Sequence, residues 1–163
     1  MSLSTNLIMG AIFLALGIWL TIGVVRTRSK LTITDKMWNA SRILFAIAGG
    51  LSIVSFFSYE GPQDFLRIIP TTYAICIFLL LRDGIGETGF ASFGKFTKWE
   101  DVRAYDYSRE SKKFVLYVSS AKEDGRTTSG SSIPINFELK DEQRVIDFMK
   151  EHLPKKYRRM RKA

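Results

Sequence analysis

Cysteine and histidine are nearly missing from this chain. Cys76 and His152 are single copies, so no internal disulfide can form and no His/Cys cluster can hold a zinc ion. That count leaves a carboxylate metal site open. Charge is missing from long stretches of the first half. The run LIMGAIFLALGIWLTIGVV, Leu7 to Val25, holds 19 residues without an ionisable group, about the length that spans a hydrocarbon core. The residues before it, MSLSTN, include no Lys or Arg. That argues against a cleaved signal peptide, whose leading segment is basic. No nucleophile, base and orienting group fall together either. His152 sits among apolar neighbours, and the serines of KEDGRTTSGSS have no credible partner. Neither an enzyme nor a bound cofactor is expected.

The charge that is present is unevenly placed. The formal net charge is +8, yet residues 83–154 hold 11 basic against 13 acidic residues. The excess lies at the end, in Lys155, Lys156, Arg158, Arg159, Arg161 and Lys162. A nearly balanced domain with a basic tail lacks the broad basic face of a nucleic-acid binder, so no nucleic acid is expected as a partner.

Three apolar segments, about 7–25, 38–57 and 65–81, read as transmembrane helices within a membrane region spanning residues 1–82. The second carries one charge, Arg42, near its start, where it can snorkel to the headgroups. The third is the weakest, a 17-residue run containing Arg67 and Pro70; without it the count falls to two and the soluble domain changes side. The first connection holds Arg26, Arg28, Lys30 and Lys36, and the second, SYEGPQD, holds no base. Positive loops stay in the cytoplasm. The expectation is a multi-pass protein of the cell membrane with its N-terminus outside and everything after Arg82 in the cytoplasm. The sequon Asn39-Ala40-Ser41 then lies at the inner face, out of reach of glycosylation. Small residues four apart, Ala11 with Ala15, Ala46 with Gly50 and Ala48 with Ser52, mark candidate helix contacts.

The second half reads as α+β. DGIGETGFASFGKFTKWEDV alternates glycines with aromatics, as in a twisted hairpin. Val102–Tyr107 and Phe114–Ser119 read as strands joined by a turn at RESKK. Ile133–Leu139 is a further strand, and Pro134 suits an edge or a strand start. Asp141 is placed to cap a helix running to Leu153, with Val145, Phe148, Met149 and His152 or Leu153 as its apolar stripe.

Two phosphate motifs are nearly spelled here. Gly84, Gly86 and Gly89 form G-x-G-x-x-G, but a membrane segment precedes them and no helix follows. Gly89, Gly94 and Lys95 approach a P-loop, but Phe96 stands where a hydroxyl should ligate magnesium. Glycine-rich turns account for both.

Gly84-Ile85, then Phe96-Thr97-Lys98-Trp99-Glu100-Asp101-Val102, then Phe114–Tyr117, Ile133-Pro134 and a closing amphipathic helix resemble the pleckstrin-homology-like domains of small bacterial membrane proteins. The resemblance covers about residues 83–153, behind two or three membrane helices as in those proteins. It implies an antiparallel sheet closed at one end by a helix, used for binding rather than catalysis and without phosphoinositide recognition. Trp99 then reads as a core aromatic with Phe90, Phe93, Phe96, Tyr105 and Tyr107 as neighbours, and Phe114 and Phe148 join the core.

The tail, PKKYRRMRKA at 154–163, is the most informative polar feature. Anionic lipid attracts such clusters by about 1 kcal/mol per basic residue near the surface, and an acidic protein partner is the other candidate. The expected function is that of a membrane-anchored, non-enzymatic accessory or assembly subunit, whose cytoplasmic domain binds a protein partner or the membrane surface. The alternative is a subunit of a transport or lipid-handling complex with its active site on another chain.

Overall fold

A computed structural model describes residues 2–54, 57, 61–120 and 132–159. The chain divides into two compact units, Met1–Arg26 with Met37–Leu81, and Thr27–Lys36 with Arg82–Ala163.

The first unit holds three helices: α1 (Leu3–Arg28), α2 (Ala40–Val54) and α3 (Phe65–Leu80). The 3-10 turn Pro62–Asp64 leads into α3, and Pro62–Leu80 is one 19-residue apolar stretch. This stretch and α1 are long and apolar enough to cross a membrane. Among the described residues the shortest helix is α2, not the third one that the sequence marks as weakest; its 15 described residues rise about 22 Å.

α1 meets α3 along Asn6, Gly10, Gly17 and Leu20, all buried. Pro70, inside α3, brings no N–H to the carbonyl of Leu66. A Cβ on Gly10 would fall onto that same Leu66 oxygen, and one on Gly17 onto the Tyr73 ring. The helix backbone thus closes on a carbonyl that proline has left without its helical donor. The Asn6 amide donates to Asp64 Oδ1 at 3.1 Å, and the Thr21 and Tyr73 hydroxyls bond at 2.7 Å. α2 runs antiparallel to α3. The Phe45 and Phe78 rings pack with centroids 4.0 Å apart, tilted by 34°, and the Ser52 and Thr72 hydroxyls bond at 2.8 Å.

Two expectations change here. Ala11, Ala15 and Gly50 are exposed, and Gly50 would admit a Cβ into open space. Ala46 is half-buried. The contact to α3 is carried instead by Gly10 and Gly17, seven apart, because a seam between nearly parallel helices repeats every seven residues. Arg42 does not snorkel. It is buried, donating to the carbonyls of Met37 at 3.1 Å and Leu81 at 2.7 Å. A cation at the C-terminal end of α3 also meets the negative end of the helix dipole.

Among its described residues the second unit holds seven strands and one α-helix. β1 (Ile33–Thr34), β2 (Gly84–Gly86), β3 (Gly89–Ser92) and β4 (Lys95–Lys98) form one antiparallel sheet in that order. β5 (Val102–Arg109), β6 (Phe114–Ser120) and β7 (Ile133–Phe137) form the second. Pro134 lies on β7, an edge strand. α4 (Glu142–His152) follows, but Asp141 makes no side-chain bond to cap it. Two short helical turns, Trp99–Asp101 and Leu139–Asp141, join β4 to β5 and β7 to α4.

The first connection reads as a loop in the sequence. Its Thr32 to Asp35 instead lie along β2, with Ile33 opposite Ile85 and Thr34 opposite Gly84. The glycines explain how. A Cβ on Gly84 would strike the Ile33 carbonyl, one on Gly86 the Lys30 carbonyl, and one on Gly89 the Thr97 carbonyl. The G-x-G-x-x-G run is therefore a close-approach device between strands. Ile33, 3% exposed, adds about 2 kcal/mol of burial, enough to hold a two-residue strand. It joins Ile85, Phe90, Trp99, Phe114, Leu116 and Val118 in the core, which Val145, Met149 and Leu153 of the α4 segment complete.

Two substitutions test these contacts. Gly10→Ile should destabilise the helical unit by about 1–3 kcal/mol, whereas Ala11→Ile should be neutral; thermal unfolding of the full chain in detergent compares them. Gly86→Val should cost a similar amount and expose the 30–34 segment to limited proteolysis. Unchanged cleavage there would refute the assigned pairing.

Candidate functional site

The basic segment after α4 is ordered as far as it is described. Leu153 ends the helix and is buried in the core. The chain then turns and runs beside β5. Tyr105 N–H donates to the Lys156 carbonyl at 3.1 Å, and Arg158 N–H donates to the Tyr105 carbonyl at 3.0 Å, a parallel bridge between Tyr105 and Tyr157. The tail thus adds a short strand to the free edge of β5.

Side chains fasten it further. The Tyr157 ring lies edge-on to Tyr105 at 5.6 Å and against Tyr107 at 5.2 Å. The Lys156 ammonium donates to the Trp99 carbonyl at 3.0 Å. Trp99 is itself a junction. Its indole N–H is shared between the carbonyls of Gly86 and Glu87 at 3.0 and 3.1 Å, and its amide donates to Thr88. One buried tryptophan therefore ties the β2–β3 turn, the start of β5 and the basic segment together. His152 closes the cluster, with Nε2 3.0 Å from Glu87 Oε2 and its ring stacked on Phe148 at 4.1 Å.

Partial burial pushes the phenol of Tyr157 above its usual range, and its charge interaction and hydrogen bond with Asp106 and Tyr107 add to the effect. Burial likewise raises Tyr105, with Tyr107 and Tyr157 contributing. Asp106 is buried, and its Oδ1 accepts the Tyr107 amide at 2.8 Å.

This arrangement sorts the cations. Lys156 is half-buried and used internally, while Lys155, Arg158 and Arg159 are exposed. Arg161 and Lys162 lie outside the described residues. Exposed Arg103 on β5 is a cation that the composition of the tail alone does not reveal. Of the expected core residues, Trp99 and Phe114 are buried, and Phe96 and Phe148 are half-buried. Phe93 is not a neighbour of Trp99 in the core; it is exposed, because it forms a turn between β3 and β4. Most of the serine-bearing loop falls in 121–131, outside the described residues. Among the described residues no group of three or more His, Cys, Asp or Glu is arranged to hold a metal ion.

Tyr157 and the 30–34 strand are the two features that sequence reasoning misses. Both carry a faint signal: β-branched alternation in LTIT, and an aromatic set between two pairs of basic residues.

Residues 81–154 match a family model described as a domain of unknown function, DUF5673. No curated protein and no solved structure matches the chain. The matched span begins after β1 and stops before the segment that pairs with β5.

Both raised phenols keep their protons longer in the folded chain than in the unfolded one. Their contribution is complete below the unfolded value near pH 10 and is lost as pH rises through the raised values. In an absorbance titration Tyr105 and Tyr157 should contribute a late component, above the ordinary tyrosine range. Tyr157→Phe should remove a share of that late component; an unaltered late phase would refute the docking of the segment.

Proposed function

We propose that this chain is a multi-pass membrane protein without catalytic activity, whose cytoplasmic domain binds a protein partner or the membrane surface as an accessory or assembly subunit. The observation that carries this reading is the pairing of β1 with β2. β1 precedes α2 and β2 follows α3 in the sequence, so two strands of one sheet are separated by two apolar helices. Strands in one sheet share one side of a bilayer. That parity requires α2 and α3 to cross together or not at all, and the apolar length of Pro62–Leu80 favours crossing. Arg26, Arg28, Lys30 and Lys36 assign the shared side to the cytoplasm, leaving the N-terminus outside.

The pleckstrin-homology-like reading gains support from the strand count. Sheets of four and three strands with a closing helix supply the seven strands that this reading calls for, once the strand from the first connection is included.

The binding surface is the segment on β5. Lys155, Arg158 and Arg159 are worth about 3 kcal/mol together against anionic lipid. That is roughly a hundredfold bias in orientation, enough to turn an anchored domain but not to recruit a free one. An acidic face on a protein partner would use the same cations.

One observation favours the alternative, a subunit of a lipid-handling or transport complex. The helical unit bears an open groove of about 440 Å³, lined by Phe13, Phe45, Leu51, Ile68 and Ile75 together with Ser52, Arg67 and Thr71. Its size suits a small ligand or one acyl chain.

A photo-crosslinking residue at Arg159 of the full chain, irradiated in native membranes, tests the proposal. Adducts with one protein or with lipid are expected, well above those from a control at Asp147. Equal labelling at the two positions would reduce the segment to a solubilising end.

A further inference from the structure

β4 is the last strand of its sheet, and the chain leaves its outer edge open. The β3–β4 hairpin turns through Phe93 and Gly94, both with positive φ, 53° and 76°, between the paired Ser92 and Lys95. In a two-residue hairpin of this kind the closing pair is hydrogen-bonded. Lys95 and Thr97 therefore turn their N–H and C=O groups toward β3, and Phe96 and Lys98 turn theirs outward. Among the described residues no bond meets those outward groups. The other edges are treated differently. The segment around Tyr157 runs along β5, the Lys36 N–H donates to the Asn136 carbonyl of β7 at 2.7 Å, and β1 has only two residues.

Open edges are commonly shortened, bent or charged against unwanted pairing. β4 is charged, and with one sign. Lys95 and Lys98 are exposed, and the strand holds no acidic residue. Alternation puts Phe96 and Lys98 on one face, and there the Lys30 ammonium lies 4.7 Å from the centroid of the Phe96 ring. Glu87, in the turn before β3, is engaged by His152 at 3.0 Å, and Glu100 and Asp101 belong to the helical turn that follows β4. Lysines that guard an edge against copies of itself also select for a strand of opposite charge.

We infer that the β4 edge binds an extended acidic segment of a partner protein by strand addition, with an apolar side chain opposite Phe96 and a carboxylate opposite Lys98. The N–H and C=O groups of those two residues supply the backbone bonds. A second copy of this chain is a poor occupant, because it would set the lysines of two β4 strands against each other. This edge includes none of the cations of 155–159, and its bonds lie within the sheet domain alone.

Lys98 has a φ of −73°, which proline shares, and its outward N–H takes no part in pairing with β3. Lys98→Pro thus removes one edge donor together with the charge and spares the sheet, whereas Lys98→Ala removes the charge alone. The full chain in detergent is titrated with the capped, fluorescent peptide TETVTE, whose valine and flanking glutamates share one face in either direction of pairing. Saturable binding is expected, with none to TKTVTK. Lys98→Ala should weaken it about threefold, and Lys98→Pro about fivefold more. A peptide N-methylated at its valine and glutamates should lose binding. That peptide keeps the test decisive if Lys98→Pro disturbs the fold. Equal binding of the methylated and plain peptides would overturn strand addition, leaving only attraction between charges. No saturable binding of TETVTE would also overturn it, and β4 would be a guarded edge. A dimer of the full chain that Lys98→Pro dissolves would assign the edge to a second copy and overturn the acidic partner.

Discussion

The close approach of residues 30–34 to β2 is the constraint on which the β-sheet domain depends. Three carbonyls, those of Lys30, Ile33 and Thr97, occupy space that any side chain on Gly86, Gly84 or Gly89 would need. The sheet closes only because these positions are bare. That closure buries Ile33 and gives β2 a second neighbour. Without it, β2 would be a three-residue edge of glycines and one isoleucine, with few side chains to pack. The partners are about fifty residues apart in sequence, and two apolar helices are made between them. The domain therefore forms late, since non-local pairing must meet its loop-closure cost before any contact offsets it.

Within the helical unit, backbone proximity matters again. Close approach and hydrogen bonds decide its contacts. Gly10 brings α1 onto the Leu66 carbonyl that Pro70 cannot serve, and Thr21 reaches Tyr73. Asn6 and Asp64, both buried, bond to one another. Arg42 holds the Leu81 carbonyl, one of the last in α3, where no helical N–H remains to do so. Each polar group works at a helix end or at a helix–helix contact, where an unmet partner would be most costly.

Much of the second unit's fold was legible. β5, β6, β7 and α4 follow from alternation and from a 3.6-residue stripe, and both periods are written in residues that touch the core. What was not legible needed long-range information. The sequence LTIT is too short to declare itself a strand, and its partner is a run of glycines that carries no hydrophobic alternation. Small residues stand at 10, 11, 15 and 17 of α1 alike, so spacing alone places its packing face one residue off; only the position of α3 distinguishes them. Arg42 looks like a headgroup anchor because its partners are backbone carbonyls, which no sequence pattern announces. The candidate site was half visible: the cations stand out by composition, but their fixation does not.

That fixation changes what the cations can do. A disordered basic tail loses ordering entropy whenever it meets a surface, on the order of 1–2 kcal/mol of backbone cost per residue fixed. For a five-residue stretch this outweighs the few kcal/mol that the charges return against lipid. In this protein the ordering of 155–159 is met within the fold, by the two bonds to Tyr105, the Tyr157 ring contacts and the Lys156 bond to Trp99. Lys155, Arg158 and Arg159 are then displayed from a backbone held by the Tyr105–Tyr157 bridge rather than from a free coil, and most of their attraction is available for binding. The same bonds make Trp99 the point at which the state of the sheet and the presentation of the charges are coupled. A rearrangement of the β2–β3 turn that released the indole N–H from Gly86 and Glu87 would also shift the carbonyl holding Lys156, and with it the display of Lys155, Arg158 and Arg159.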